Sequence, residues 1–230
     1  MAEPLFNFGD PELVAQYLSK GPPAFAPGHA GMLQMTGVLL AERVPDDGAI
    51  LIVGAGGGLE TRYLAGLEKE WRVVGVDPAA AMLGLARLIA GPAAQDRLTL
   101  IEGTAADAPS GPFDGATCIL VLGLIPDDGS KRATLNEMRK RLKPGAPFIL
   151  VDQCIALEAP AARLLVDRYA AYALASGVDP GTVAIARQKV EAGASMVGPQ
   201  RVEQLLADAG FKDSQVFYVG MSWRGWAAYA

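Results

Sequence analysis

Two cysteines and a single histidine are all that 230 residues offer to thiol or imidazole chemistry. Cys118 and Cys154 lie in or beside apolar runs and form no Cys-x-x-Cys pair. They read as reduced core thiols of a cytoplasmic protein, and no metal is expected. Basic charge is also short, at 20 Lys and Arg against 25 Asp and Glu, for a formal net charge of −5. That balance leaves no electrostatic footprint for nucleic acid. The densest basic run, Arg139-Lys140-Arg141 with Lys143, falls at an expected helix end, where cations answer the helix dipole. No apolar run approaches a membrane span. Met1 to Asp10 lacks the basic and apolar stretches of a signal peptide. Internal repeats and low-complexity tracts are missing as well. Apolar residues are plentiful: they make up 51% of the chain, enough for a substantial core.

Their spacing alternates between strand and helix. Asp10-Pro11-Glu12 predicts a helix to about Lys20, broken by Gly21-Pro22-Pro23, and a second helix fits Ala30 to Arg43. Strands are expected at Ala49–Val53, Trp71–Val76, Leu98–Glu102, Ala116–Val121 and Pro147–Val151. Helices fit the intervals up to Leu67, from Ala79 to Ile89 and from Ser130 to Leu142, the last stopped by Lys143-Pro144-Gly145. Such alternation implies a parallel sheet covered on both faces. Residues 158–208 then read as helical, with breaks at Gly177-Val178-Asp179-Pro180 and Gly198-Pro199. Two strands, Gln215–Val219 and Trp223–Tyr229, close the chain and could pair antiparallel.

One turn carries the chemistry. Ile50-Leu51-Ile52-Val53 runs into glycines at 54, 56 and 58, and a helical pattern starts at Leu59. Glycine permits a tight turn and close approach of a ligand. Nineteen residues past Gly58, the next apolar strand ends in Asp77, an acid suited to ribose hydroxyls. Together they point to a nucleoside-bearing cofactor. A dinucleotide fingerprint would need glycine at position 59, where Leu59 stands. No tyrosine precedes a lysine by four residues, so a nicotinamide oxidoreductase is the weaker alternative.

Five landmarks come in order: Gly54 to Gly58, Gly75-Val76-Asp77-Pro78, Glu102-Gly103-Thr104-Ala105-Ala106-Asp107, Phe113-Asp114 and Leu142-Lys143-Pro144-Gly145. With the closing Ala209-Gly210-Phe211 and its two strands, the chain resembles the class I S-adenosylmethionine-dependent methyltransferases. The resemblance implies a Rossmann-like α/β fold. Its seven-stranded, mostly parallel sheet would carry helices on both faces, a final antiparallel hairpin and a helical cap. It divides the chain into N-terminal helices closing the site (1–45), a cofactor-binding core (46–154 with 209–230) and a helical insert (155–208). It implies S-adenosylmethionine as cofactor and S-adenosylhomocysteine as product. Gly54, Ala55, Gly56 and Gly58 would face the methionine part and Asp77 the ribose. Pro78 and Met82 would lie against the adenine, although Met82 could equally be plain core. Thr104, Ala105 and Ala106 would border the adenine edge, and Cys118, Ile119 and Leu120 would offer backbone near the transferred methyl.

This chain departs from the family at two anchors. Ile52 stands where an acid is frequent, and Thr104 replaces a second acid. Glu60 either takes over part of the first role or, as an exposed first-turn acid, only serves the helix dipole. The layout also resembles carboxy-S-adenosylmethionine synthase. That activity requires an arginine in the helix before Ala209, and Val202 to Leu206 has none after Arg201. A cofactor-binding regulatory protein of the same fold stays as an alternative.

Acceptor residues are less marked. His29, in Ala26-Pro27-Gly28-His29, is either structural or a base at the substrate. Cys118 to Val121 lacks the Asn-Pro-Pro-aromatic arrangement used on amino groups of bases or glutamine. A small-molecule acceptor is therefore expected, with no nucleic-acid or membrane partner. In the insert, Arg168 and Tyr172 share a helix face and are candidate substrate contacts. The same insert could instead pack on the sheet or form a homodimer.

Overall fold

The computed structural model describes Tyr17 and residues 21–67, 69–192 and 195–230. The helix expected over Asp10–Lys20 lies outside these residues, apart from Tyr17. Elements follow in the order α1 (Pro22–Phe25), α2 (His29–Ala41), β1 (Ala49–Val53), α3 (Leu59–Ala65), β2 (Arg72–Asp77), α4 (Ala80–Ala90), β3 (Leu98–Glu102), β4 (Gly115–Ile119), α5 (Ser130–Lys140), β5 (Pro147–Gln153), α6 (Ala162–Ala175), α7 (Pro180–Glu191), α8 (Pro199–Asp208), β6 (Lys212–Gly220) and β7 (Trp223–Tyr229).

These strands build one seven-stranded sheet in the order β3-β2-β1-β4-β5-β7-β6. The first five run parallel; β7 is antiparallel to β5, and β6 to β7. The expected mostly parallel sheet with a closing hairpin is thus observed. Side chains alternate across a strand, and here both sides are apolar because both faces are covered. Ile50, Ile52, Ile149 and Val151 join one buried cluster with Leu33, Leu40 and Leu64 of α2 and α3. Leu51, Val53, Phe148 and Leu150 join the other, with Leu135 of α5 and Leu205 of α8. Each fully buried side chain of this kind contributes about 1.5–3 kcal/mol.

Most boundaries fall within a residue or two of expectation, and three of the differences have a clear local reason. β4 ends at Ile119, not Val121, because Leu120 takes a left-handed φ of 63° and a single 3-10 turn, Leu122–Leu124, follows. β5 continues to Gln153, since β7 pairs with it as far as Gln153↔Trp223. β6 starts at Lys212, where register shifts let an irregular edge strand follow β7.

The insert forms α6, α7 and α8, with breaks where glycine and proline predict them. Asp179 caps α7 by accepting from Thr182 N at 2.8 Å. The buried face of α6 packs on the N-terminal segment: Ala170 and Ala173 cluster with Ala24, and the Tyr169 ring lies tilted against Phe25 with ring centroids 5.2 Å apart. The C-terminal hairpin holds the same segment. Trp223 Nε1 donates to Phe25 O at 3.0 Å, and Tyr218 Oη donates to Pro27 O at 2.5 Å.

Candidate active site

Strand order reverses between β1 and β4, both of which start from the middle of the sheet. The crevice above their C-terminal ends is where open α/β sheets take ligands. Here a cleft of about 590 Å³ opens, within the range of small-molecule sites. Its floor is the turn after β1.

Gly58 makes that turn possible. Its φ is +72°, and a Cβ would stand 2.6 Å from Ala86 Cα of α4. The turn is tied to the next strand end: Gly56 N donates to Asp77 Oδ2 at 3.0 Å, and Ala79 N donates to Oδ1 at 2.9 Å. Each Asp77 oxygen keeps a lone pair for a hydroxyl donor. Burial raises the Asp77 pKa, and the two backbone donors offset part of that rise.

Most expected cofactor residues meet here. Gly54, Gly56, Asp77, Pro78, Met82, Thr104, Ala105, Ala106 and Ile119 all line the cleft. Thr104 is fixed by Asp107, whose Oδ2 accepts from its N at 2.8 Å and from its Oγ1 at 3.0 Å. Ala55 and Gly58 line a small adjoining chamber of about 30 Å³, bounded also by His29, Leu33, Glu60, Ile119 and Leu120. That volume holds little more than a water or two. Leu120 lines both spaces in its left-handed conformation, a strain of the kind that collects at functional sites.

Some expectations are corrected. Cys118 lines neither space; its thiol is fully buried in the cluster on the sheet's other face. Arg168 is exposed and Tyr172 is half-buried, and neither lines the cleft or the chamber. Glu60 is not an exposed helix acid. Its Oε1 is sealed from solvent beside the Thr117 hydroxyl.

Other lining residues were not anticipated. Tyr17 lies against Gly57 and borders both spaces. Ser130, Thr134 and Glu137 of α5 line the far wall. Their i, i+4, i+7 spacing was visible in the sequence, but the side they face was not. The turn beside them is pinned by buried charge. Asp152 Oδ2 accepts from Gly123 N at 2.5 Å, and Lys131 Nζ donates to Leu122 O. Burial pushes the Asp152 carboxyl up to about 6 and depresses Lys131.

Burial also lifts the Glu60 carboxyl to about 7 from an ordinary 4.5, with the neighbouring Thr117 hydroxyl offsetting part of the rise. A raised folded-state pKa means the folded chain holds the proton more tightly than the unfolded one. Stability is therefore gained below about pH 4.5 and lost as pH climbs through about 7. Glu60→Gln should accordingly raise the thermal midpoint of the ligand-free protein at pH 8. The gain should vanish as pH falls toward 4.5, as read by melts across that range. A gain that ignores pH would exclude charge burial as its cause.

Residues 51–148 match the family model described as a methyltransferase domain. Over that span the chain is similar to a methyltransferase domain. An Aspergillus luteorubrus protein named probable methyltransferase ltbC is 33% identical over 106 residues, 42% of this chain and 36% of that protein. The chain thus spans about a third of this curated relative's length. Among solved structures, a SAM-dependent methyltransferase from Aquifex aeolicus aligns with TM-score 0.61 at 17% identity, covering 96% of this chain and 98% of that one. Human N-acetylserotonin methyltransferase, solved in complex with SAM, aligns with TM-score 0.58 at 18% identity, covering 94% and 58%. At these identities the likeness is one of fold.

The residues at this site fit the cofactor of such a domain, S-adenosylmethionine. Gly54 and Gly56 line the cleft with little side chain between backbone and ligand, Asp77 stands at the adjoining strand end, and the Glu60 carboxyl borders the chamber. Among the described residues, no group of three or more His, Cys, Asp or Glu could hold a metal ion. Nor is any described helix long and apolar enough to cross a membrane.

Proposed function

We propose that this chain transfers the methyl group of S-adenosylmethionine to an oxygen, nitrogen or carbon of a small, partly apolar acceptor. The observation that carries the reading is the continuity of the cleft with the chamber, through Gly54, Gly56, Ile119, Leu120 and Tyr17, from Asp77 to His29. The sulfonium supplies an already activated methyl. The protein's tasks are alignment and exclusion of water. Asp77 holds the ribose, Pro78 and Met82 flank the adenine, and Leu33, Ile119 and Leu120 form the dry wall near the methyl. His29 accepts the proton of the acceptor. Its ring is 8% exposed, and burial lowers its pKa, so it stays neutral and able to accept at pH 7.

A net charge of −5 supports a small acceptor over nucleic acid. Free, buried Cys118 and Cys154 support a reducing, cytoplasmic setting. Leu164, Leu174 and Ile185, exposed on the insert, support a homodimer contact there. The packing of α6 on α1 supports an insert that braces the N-terminal segment over the site.

Calorimetry with S-adenosylmethionine, S-adenosylhomocysteine and NAD tests the reading. Binding of NAD alone would overturn it. Binding of the sulfur nucleosides without turnover across an acceptor panel would favour a regulatory protein. Asp77→Ala should weaken S-adenosylhomocysteine by on the order of 1.5–3 kcal/mol, the worth of hydrogen bonds to a charged group. Unchanged affinity would remove Asp77 from the site.

A further inference from the structure

The basic run Arg139-Lys140-Arg141, expected only to answer a helix dipole, closes α5 with side chains that do different things. Arg139 reaches the turn before β6, where its Nε donates to Gly210 O at 2.9 Å. Arg141 reaches two walls of the cleft without lining it. Its side chain is largely buried, and each of its three guanidinium nitrogens has an acceptor. Nε donates to Ala108 O at 3.1 Å and Nη2 to Ala106 O at 2.7 Å. Nη1 donates to Glu137 O at 2.9 Å and to Glu137 Oε2 at 2.6 Å. The Arg141 backbone is held too, since Phe113 N donates to Arg141 O at 2.7 Å.

Ala106 and Glu137 belong to different walls of the cleft, one on the loop after β3 and the other on α5. The loop is anchored at its start to the Asp77 strand end, through Gly103 N and Asp77 O at 3.1 Å. Asp107 folds it on itself by accepting from Thr104. Neither bond ties it to α5; the guanidinium does. On the α5 side, Lys140 Nζ donates to Glu137 Oε1 at 2.7 Å, so two cations orient that carboxylate. Hydrogen bonds with a charged donor are stronger than neutral ones. A planar fork meets all these acceptors at once, whereas a lysine ammonium is a compact point charge.

We propose that Arg141 is a positioning residue for the base of the nucleoside, its guanidinium holding the loop of Thr104, Ala105 and Ala106 against α5. The proposal rests on the cofactor reading above. Arg141 touches no ligand; it sets the separation of the two walls between which the base lies.

The test compares wild type, Arg141→Lys, Arg141→Met and Arg139→Met. The last is the control, because it removes a guanidinium bond from the same helix without touching either wall. Calorimetry well below every thermal midpoint reads S-adenosylhomocysteine affinity, and hydrogen–deuterium exchange of the ligand-free proteins reads the backbone of 104–108. Both Arg141 variants should lose roughly fivefold or more in affinity, and Arg139→Met less than about twofold. Amides of 104–108 should exchange faster in the Arg141 variants alone, with those of β1 unchanged. Should Arg141→Met fail to fold, Arg141→Lys, which keeps the charge, carries the test. Wild-type affinity in Arg141→Lys would overturn the clamp, and so would a loss of affinity without faster exchange at 104–108. Equal losses in the Arg139 and Arg141 variants would reduce Arg141 to general support of α5 and overturn it as well. Each of these leaves the cofactor reading standing. A wild type that does not bind S-adenosylhomocysteine defeats the cofactor reading itself, and this proposal with it.

Discussion

Gly58→Ala is expected to melt well before the wild type. At a φ of +72°, an alanine costs roughly 1–2 kcal/mol that glycine avoids. Its methyl would also stand 2.6 Å from Ala86 Cα and 3.0 Å from Ala86 O, and backbone cannot swing aside as a side chain can. Overpacking of that kind adds about 1–3 kcal/mol. The sum, about 2–5 kcal/mol, is a large part of the 5–15 kcal/mol that holds an ordinary domain together. For a chain of this size it corresponds to a midpoint lowered by roughly 4–20 °C. Gly84→Ala is the internal control. It lies within α4, and an added Cβ meets nothing within 4 Å. There, alanine should stabilise by about 0.5–1 kcal/mol, the ordinary helix-propensity gain. If scanning calorimetry gave both variants the same midpoint, close packing of the glycine turn on α4 would not be what position 58 requires.

His29→Gln should lower turnover by on the order of 10²–10⁴, the usual worth of a positioned base. Glutamine keeps a polar group of similar reach but cannot take up a proton near neutral pH. Under the proposed role, S-adenosylhomocysteine affinity and thermal midpoint should stay at wild-type values, since His29 lines the chamber on the side of α2, away from Asp77. The pH profile gives the second reading. Burial holds the imidazole pKa below its usual 6.5, so wild-type turnover should persist below that pH before its acid limb begins. The variant should lose that limb. A turnover loss below about threefold would return His29 to a structural part.

Much of this architecture was legible because its signals are local. An apolar run that meets glycines, or a helix that meets Lys143-Pro144-Gly145, has few other ways to fold, and β3 spans the expected Leu98–Glu102. The residues expected at the cofactor lie near one another for the same reason: the backbone brings strand ends together whatever the side chains. What stayed hidden depends on tertiary placement. Spacing puts Arg168 and Tyr172 on one face of α6 but cannot say where that face points. The helix turns Ala170 and Ala173 toward α1, leaving Arg168 in solvent. Glu60 could be a surface acid or an enclosed one, and only the packing of α3 on the sheet decides between them. Leu120 ended β4 early through a backbone angle that no propensity for leucine suggests.

The bonds from Trp223 and Tyr218 to Phe25 and Pro27 also set an order of assembly during synthesis. Strands β1 to β5, with the glycine turn and Asp77, can pair as soon as Gln153 has left the ribosome. His29 follows Pro27 by two residues, and its segment gains those two anchors only when the hairpin at the other end of the chain has emerged. A nascent chain thus acquires the Asp77 strand end first and the anchored His29 segment last. The sheet is open along β5 until β7 arrives, so the interval between the two events is when a growing chain is most in need of a chaperone.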